Sequence, residues 1–269
     1  MKTVISWNVN GIRACLSKPA SATVLASFLQ AYPDCTCIAL QETKMQCAMW
    51  DGLLPLIHAQ LPGWHVYHAD SVAKKGYAGT ALLLRHPPSS VDVPCIDCGE
   101  DDAGQDAGKE GRVITAIYDG HAITSVYTCN SGRGGGLGRL GYRTERWDVA
   151  FKAYCEDLLR AHRQRNPDFQ LVVAGDLNVA HEDIDLARPD ENRNTSAGFT
   201  DAERAGLRSL LLCGSGGGGL DGTDVGKSDG KGEAAGEAAG GLRDSFRELH
   251  PEATAMYSWW PYRSRGARE

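Results

Sequence analysis

A layered domain of mixed α/β or α+β type is what this 269-residue sequence predicts, on three observations. Short β-branched runs alternate with longer amphipathic ones, the pattern of sheets covered by helices. At 42% hydrophobic content the chain can bury one large core or two modest ones. No apolar run approaches the ~20 residues that a bilayer-spanning helix needs.

Taken in order, strands are expected over residues 3–7, 36–40, 80–84, 113–118, 123–127 and 171–174, each a β-branched or apolar run ending in polar or turn residues. A helix is expected over 20–31, with Val24, Leu25, Phe28 and Leu29 on one face. A longer one over 143–163 places Trp147, Phe151, Tyr154 and Leu158 at steps of three and four. Thr200 opens a third helix, with Glu203 at capping-box spacing. Residues 214–241 are rich in Gly, Ala, Ser and Asp and lack an apolar face, so a flexible insertion is expected there. The piece after it is too short to fold alone, which makes residues 1–269 a single domain. The α/β and α+β classes are not separable by periodicity.

The net charge of −6 is concentrated in two segments. Residues 97–110 hold six acids against Lys109, and residues 213–241 hold five against Lys227 and Lys231. The remainder is slightly positive, and affinity for phosphates follows local basic surface rather than the total. The nine cysteines are odd in number and the chain is too long for a disulfide-stapled miniprotein, so reduced thiols are expected. Cys95 and Cys98 have metal-site spacing, yet no second pair or clustered His accompanies them, whereas zinc takes four ligands. No charged-then-apolar leader precedes residue 3, so secretion is not expected.

Polar groups cluster where predicted strands end, the places at which rigid scaffolds present functional groups. Residues 3–7 run into Asn8-Val9-Asn10-Gly11, and 36–40 into Gln41-Glu42-Thr43-Lys44. Residues 123–127, ending in Tyr127, run into Thr128-Cys129-Asn130-Ser131-Gly132-Arg133, and 171–174 into Gly175-Asp176-Leu177-Asn178. One such cluster would be an ordinary turn. Four, combining carboxylate, amide, phenol and guanidinium, point to a hard-cation and phosphate site. Glu42, Asn8 and Asp176 supply the carboxylate and amide oxygens that magnesium prefers.

The segments Ser6-Trp7-Asn8-Val9-Asn10-Gly11-Ile12-Arg13-Ala14, Leu40-Gln41-Glu42-Thr43-Lys44 and Gly175-Asp176-Leu177-Asn178-Val179-Ala180 resemble the signature motifs of the exonuclease III-like abasic (AP) endonucleases. That family lies within the endonuclease/exonuclease/phosphatase superfamily. Glu110-Gly111-Arg112-Val113-Ile114, Ala197-Gly198-Phe199-Thr200 and Tyr257-Ser258-Trp259-Trp260-Pro261-Tyr262 extend the resemblance, in family order, over nearly the whole chain outside the Gly-rich segment.

The resemblance implies a four-layered sandwich of two packed β-sheets flanked by helices. It also implies cleavage of the phosphodiester 5′ to an abasic site in double-stranded DNA, leaving a 3′-hydroxyl, with 3′–5′ exonuclease or 3′-phosphodiesterase activity as a related capacity. Glu42 would hold Mg²⁺ (or Mn²⁺) with Asn8 beside it. Asp176 would orient or deprotonate the attacking water, with Asn178 nearby, and Tyr127 and Asn130 would contact the target phosphate. Arg133, with Arg143 or Arg146, would bridge phosphates, and Trp259 would lie against the extruded sugar. His181 is read as structural. A monomer is expected, nuclear in a eukaryote and cytoplasmic otherwise.

The sequence departs from the family at its end: it stops at Glu269, before the family's Trp-Arg-x-Asp-Tyr strand and Ser-Asp-His motif. The resemblance therefore implies a domain lacking its last strands and the catalytic histidine. Two readings compete with full activity. One is a non-catalytic DNA-binding relative; the other is a superfamily phosphodiesterase acting on an inositol phosphate, lipid headgroup or RNA.

Overall fold

The computed structural model describes residues 3–18, 23–132, 135–214 and 241–258. Two four-stranded sheets face each other, with helices outside both, as a four-layered α/β sandwich requires. The first sheet has the order β1-β2-β4-β3, from β1 (Thr3–Asn8), β2 (Cys35–Gln41), β3 (His65–Ala69) and β4 (Thr80–Leu84). The second has the order β5-β6-β7-β8, from β5 (Ser90–Asp92), β6 (Val113–Ile117), β7 (His121–Tyr127) and β8 (Gln170–Asp176). Pairs β1–β2 and β7–β8 are parallel and the rest antiparallel.

The sandwich follows from the period-two alternation along the strands. Cys37 and Ala39 of β2 and Leu82 and Leu84 of β4 point between the sheets, where they meet Ile114, Ala116 and Ile123 of the second sheet. Ile38, Leu40, Ala81 and Leu83 point the other way, onto α1 (Ile12–Leu16), α2 (Val24–Ala31) and α3 (Cys47–Gln60). Small side chains at Cys37, Ala39 and Ala116 let the two sheets approach closely. Gln41 Nε2 donates to Ser125 Oγ (3.1 Å), a buried bond that ties the sheets together near their functional end.

Outside the second sheet lies a run of three elements: α4 (Leu140–Tyr142), a five-residue π-helical stretch (Arg143–Trp147) and α5 (Asp148–Arg163). Trp147, Phe151, Cys155 and Leu158 pack from it onto Val113, Ala122, Val126 and Leu171. Burying a side chain of that size contributes roughly 1.5–3 kcal/mol. After the short α6 (Pro189–Asn192), α7 (Asp201–Leu211) starts at Thr200 with the reciprocal Thr200–Glu203 capping box that its sequence predicts. Among the described residues the last helix, α8 (Ser245–Leu249), is N-capped by Asp244.

Several expectations are refined. The 20–31 helix begins at Val24, with residues 19–22 outside the described set. The 143–163 helix opens with a π turn rather than a regular one. Strands β3 and β5 and helix α3 carry no clear signal in the sequence, since α3 contains Gly52 and Pro55 and is defined by burial of Trp50, Leu53 and Ile57. The Gly-rich interior, residues 215–240, lies outside the described residues. All nine cysteines are free; Cys95 is exposed and Cys98 is buried against the Tyr142 hydroxyl (3.0 Å). Among the described residues no helix is long and apolar enough to cross a membrane.

Candidate active site

Parallel pairing brings the site together. Because β1 and β2 run the same way, Asn8 and Gln41 are register partners at one end of the first sheet, and Glu42 follows directly. Likewise β7 and β8 end together with Tyr127 opposite Asp176. Strands β1 and β8 are neighbours across the sandwich, so the two ends converge.

At the convergence, Asn8 Nδ2 donates to Glu42 Oε1 (2.9 Å) and to Asp176 Oδ2 (2.8 Å), joining the two sheets through one amide. Asn8 Oδ1 accepts from the Asn10 N–H (3.0 Å). Lys44 Nζ lies 3.0 Å from Glu42 Oε2 and also donates to Asn10 Oδ1. Burial pushes the Glu42 carboxyl up, but hydrogen bonds from Asn8 and Lys44 and the Lys44 charge outweigh it, leaving the pKa below the ordinary value. Glu42 is therefore ionised at neutral pH. Asn10, Glu42 and Lys44 all have positive φ (46°, 52° and 54°). Left-handed backbone at non-glycine residues costs of order 1–3 kcal/mol each and gathers at functional sites.

The opposite wall is made of neutral amides. Asp176 Oδ1 accepts the Asn178 N–H (3.0 Å), and Asn178, itself at φ 49°, donates Nδ2 to the Thr128 carbonyl (2.8 Å). Asn130 Nδ2 donates to Asn178 Oδ1 (3.1 Å), while Asn130 Oδ1 receives the Gly132 N–H (2.7 Å). Tyr127 stands close enough to Glu42 to feel its charge. Burial first, then the Glu42 charge, hold its hydroxyl far above the ordinary phenol range, so it acts as a proton-bearing donor. Beneath the ring lies Arg112, 2% exposed and 4.5 Å from the ring centroid; Nη1 donates to the Tyr127 carbonyl (2.9 Å) and Nε to Glu110 (2.6 Å).

Six of the residues named from the sequence, Asn8, Glu42, Tyr127, Asn130, Asp176 and Asn178, thus form one connected site. Arg133 and Trp259 lie outside the described residues. Arg143 does not face a phosphate: it is 2% exposed, and its donors are taken up by backbone carbonyls and Asp148. Arg146 is turned to the Glu100 carbonyl (3.1 Å). His181 Nε2 lies 3.3 Å from Glu182 Oε1 without a hydrogen-bond partner. Sequence reasoning assigned no role to Lys44 or Arg112, although both stand inside the quoted motifs; a cation two residues from Glu42 was the available signal.

The donor set suits a hard divalent cation. Glu42 is an ionised, part-exposed carboxylate held by the Asn8 amide N–H, and Mg²⁺ takes one or two carboxylates and keeps several waters. Clusters of three or more His, Cys, Asp or Glu, as softer metals require, do not occur among the described residues.

Comparison with known proteins identifies the family. Residues 5–268 match the model of the Endonuclease/Exonuclease/phosphatase family. An exodeoxyribonuclease of Bacillus subtilis is 37% identical over 266 residues, covering 99% of this chain and 82% of that protein. The DNA repair nuclease APEX1 of Danio rerio is 36% identical over 260 residues, covering 96% and 66%. The crystal structure of an AP endonuclease from Leishmania major superposes with a TM-score of 0.66 at 26% identity, covering 97% of this chain and 73% of that one. The names of these relatives place their action on DNA. The chain belongs to the endonuclease/exonuclease/phosphatase family, among its exonuclease III-like, hydrolytic DNA-repair nucleases.

Proposed function

We propose that this chain hydrolyses the phosphodiester 5′ to abasic sites in double-stranded DNA as a Mg²⁺-dependent monomer, nuclear in a eukaryote and cytoplasmic otherwise. The observation that carries the reading is the Asn8 amide bridging Glu42 and Asp176, which sets a cation-binding carboxylate beside a second, differently held carboxylate. In-line hydrolysis needs a positioned water, neutralised non-bridging oxygens and a stabilised leaving group.

Asp176 has both oxygens oriented, one by the Asn178 N–H and one by Asn8, and its remaining lone pairs accept the proton of an attacking water. Asn130 and Asn178 present amide groups, and Tyr127 a protonated hydroxyl, to the phosphoryl oxygens. Glu42 would hold the metal, with Asn8 beside it orienting the carboxylate and Lys44 3.0 Å away as the charge that balances Glu42 in the metal's absence. Bound there, Mg²⁺ neutralises developing negative charge on the phosphate. Selection of the lesion follows from flipping, since an abasic nucleotide loses little stacking when extruded.

The test is incision of a duplex with one synthetic abasic site, compared with the undamaged duplex, with Mg²⁺ and with chelator. Strand breaks 5′ to the site that require metal are expected. Equal cleavage of both duplexes, or activity only on small phosphate esters, would remove the assignment.

A further inference from the structure

Beyond the residues that face the substrate, one buried side chain spans both loops of the amide wall. Arg143 opens the π-helical stretch, and π turns are rare and occur mostly at functional sites. Its Nη1 donates to the Cys129 carbonyl and its Nη2 to the Leu177 carbonyl, each at 2.9 Å. Cys129 immediately precedes Asn130, and Leu177 lies between Asp176 and Asn178.

The regular ladder between β7 and β8 stops at Tyr127 and Asp176, so the loops beyond it need another tie. Four ties cross the gap: Thr128 N–H to the Asp176 carbonyl, Asn178 Nδ2 to the Thr128 carbonyl, Asn130 Nδ2 to Asn178 Oδ1, and this guanidinium, which alone among them reaches from a separate element. Its planar fork has fixed donor spacing, which an ammonium lacks.

Asp148 aligns the fork from behind, accepting Nε at 2.7 Å through Oδ1. Its other oxygen, Oδ2, is buried without a hydrogen-bond partner and faces α7, where a Cβ on Gly206 would meet it at 2.6 Å. A glycine on α7 thus leaves room for the carboxylate that orients Arg143.

We propose that Arg143 is a positioning residue: it fixes the separation of the 127–130 and 176–178 loops, and so places the Asn130–Asn178 amide pair relative to Asp176. The inference rests on the nuclease reading above and deepens it. Arg143 touches no substrate; it acts through the two carbonyls. Asp148 and Gly206 extend the same support to α7, away from the reacting groups.

The experiment uses the full chain with Arg143→Lys, Asp148→Asn and Gly206→Ala. Steady-state kinetics on the abasic duplex with Mg²⁺ are read beside the thermal midpoint and the side-chain amide NMR signals of Asn130 and Asn178 without DNA. Arg143→Lys is expected to lower kcat about 10²-fold, the scale of an ångström-level misplacement. KM should stay within about threefold, because the displaced amides act on the reacting phosphate and not on the rest of the duplex. Gly206→Ala and Asp148→Asn should give smaller kcat losses, with amide shifts ranked in the same order.

A folded Arg143→Lys protein with wild-type kcat, a loss confined to KM, or unshifted amides would overturn the proposal. If Arg143→Lys fails to fold, unchanged kcat and unshifted amides in the other two variants overturn it equally. Wild-type protein that leaves the abasic duplex intact would instead defeat the functional reading, and the amide shifts alone would then decide the role of Arg143.

Discussion

The two halves of the site are held by opposite means. On the β1–β2 side, polar side chains hold one another: Asn8, Asn10, Glu42 and Lys44 form a network of hydrogen bonds and one ion pair on left-handed backbone. On the β7–β8 side, two buried guanidiniums grip the main chain, Arg112 at the Tyr127 carbonyl and Arg143 at those of Cys129 and Leu177. The first half is charged and part-exposed, and its ion pair can be exchanged for a cation. The second presents Asp176 and neutral amides on a buried, hydrogen-bonded support. Side-chain networks suit an exchangeable ion, and backbone clamps suit groups that must keep their distances when a phosphate arrives.

The largest effect should come from the reacting carboxylate. Asp176→Asn keeps the shape and a partner for the Asn178 N–H but removes the proton acceptor, so incision should fall about 10²–10⁴-fold. Raising Mg²⁺ should not restore it, whereas Glu42→Gln, which weakens an ion site, should be partly rescued by more Mg²⁺. Titrating metal into both variants with abasic duplex present separates the halves. Identical metal dependence would erase the distinction.

Breaking the other half is expected to cost stability first. Arg112→Met leaves Glu110 buried and unpaired, and losing one partner of a buried pair costs about 3–5 kcal/mol. Urea unfolding measures it, and a loss under about 1 kcal/mol would place Arg112 among weakly coupled surface pairs. Gly79→Ala should act more locally. Gly79 has φ +82° and a Cβ there would lie 2.5 Å from Thr43 Oγ1, beside the Glu42 loop, so about 1–3 kcal/mol is expected.

The smallest effect concerns thiols. Burial raises the Cys129 pKa to about 11 against the pull of Arg112, Arg143 and Arg139, so this neighbour of Asn130 stays protonated at neutral pH. Alkylation of native protein near pH 7.5 should therefore label the exposed Cys47 and Cys95 and spare Cys129 until unfolding. Early labelling of Cys129, read by mass spectrometry, would mean that the amide wall opens readily.

Much of this was legible in the residues, for physical reasons that also mark the limit. Strands β1, β2, β4, β6, β7 and β8 fall within two residues of their predicted bounds because each is a β-branched or apolar run that ends in polar residues. Strand β3 mixes His65, Tyr67 and His68 among apolar residues, and β5 has three residues, so neither offers a period long enough to read. The polar clusters were visible because Asn8, Glu42 and Asp176 each stand where a strand stops. Arg112 and Arg143 were not: an arginine at a strand or helix start resembles a surface cation. Only the fold shows that the carbonyls Arg143 serves are 14 and 34 residues away.

The bond from Asn8 to Asp176 joins residues 168 positions apart. Closing so long a loop is entropically costly before any other contact offsets it, so the site must assemble late. At roughly 5–20 residues per second, a ribosome leaves β1 waiting on the order of ten seconds or more for β8. During that interval the nascent chain holds Glu42 and Asn8 without the carboxylate that completes them. It can therefore make no nick in nucleic acid near its own site of synthesis. In a refolding experiment, incision should return no sooner than the last tryptophan fluorescence phase.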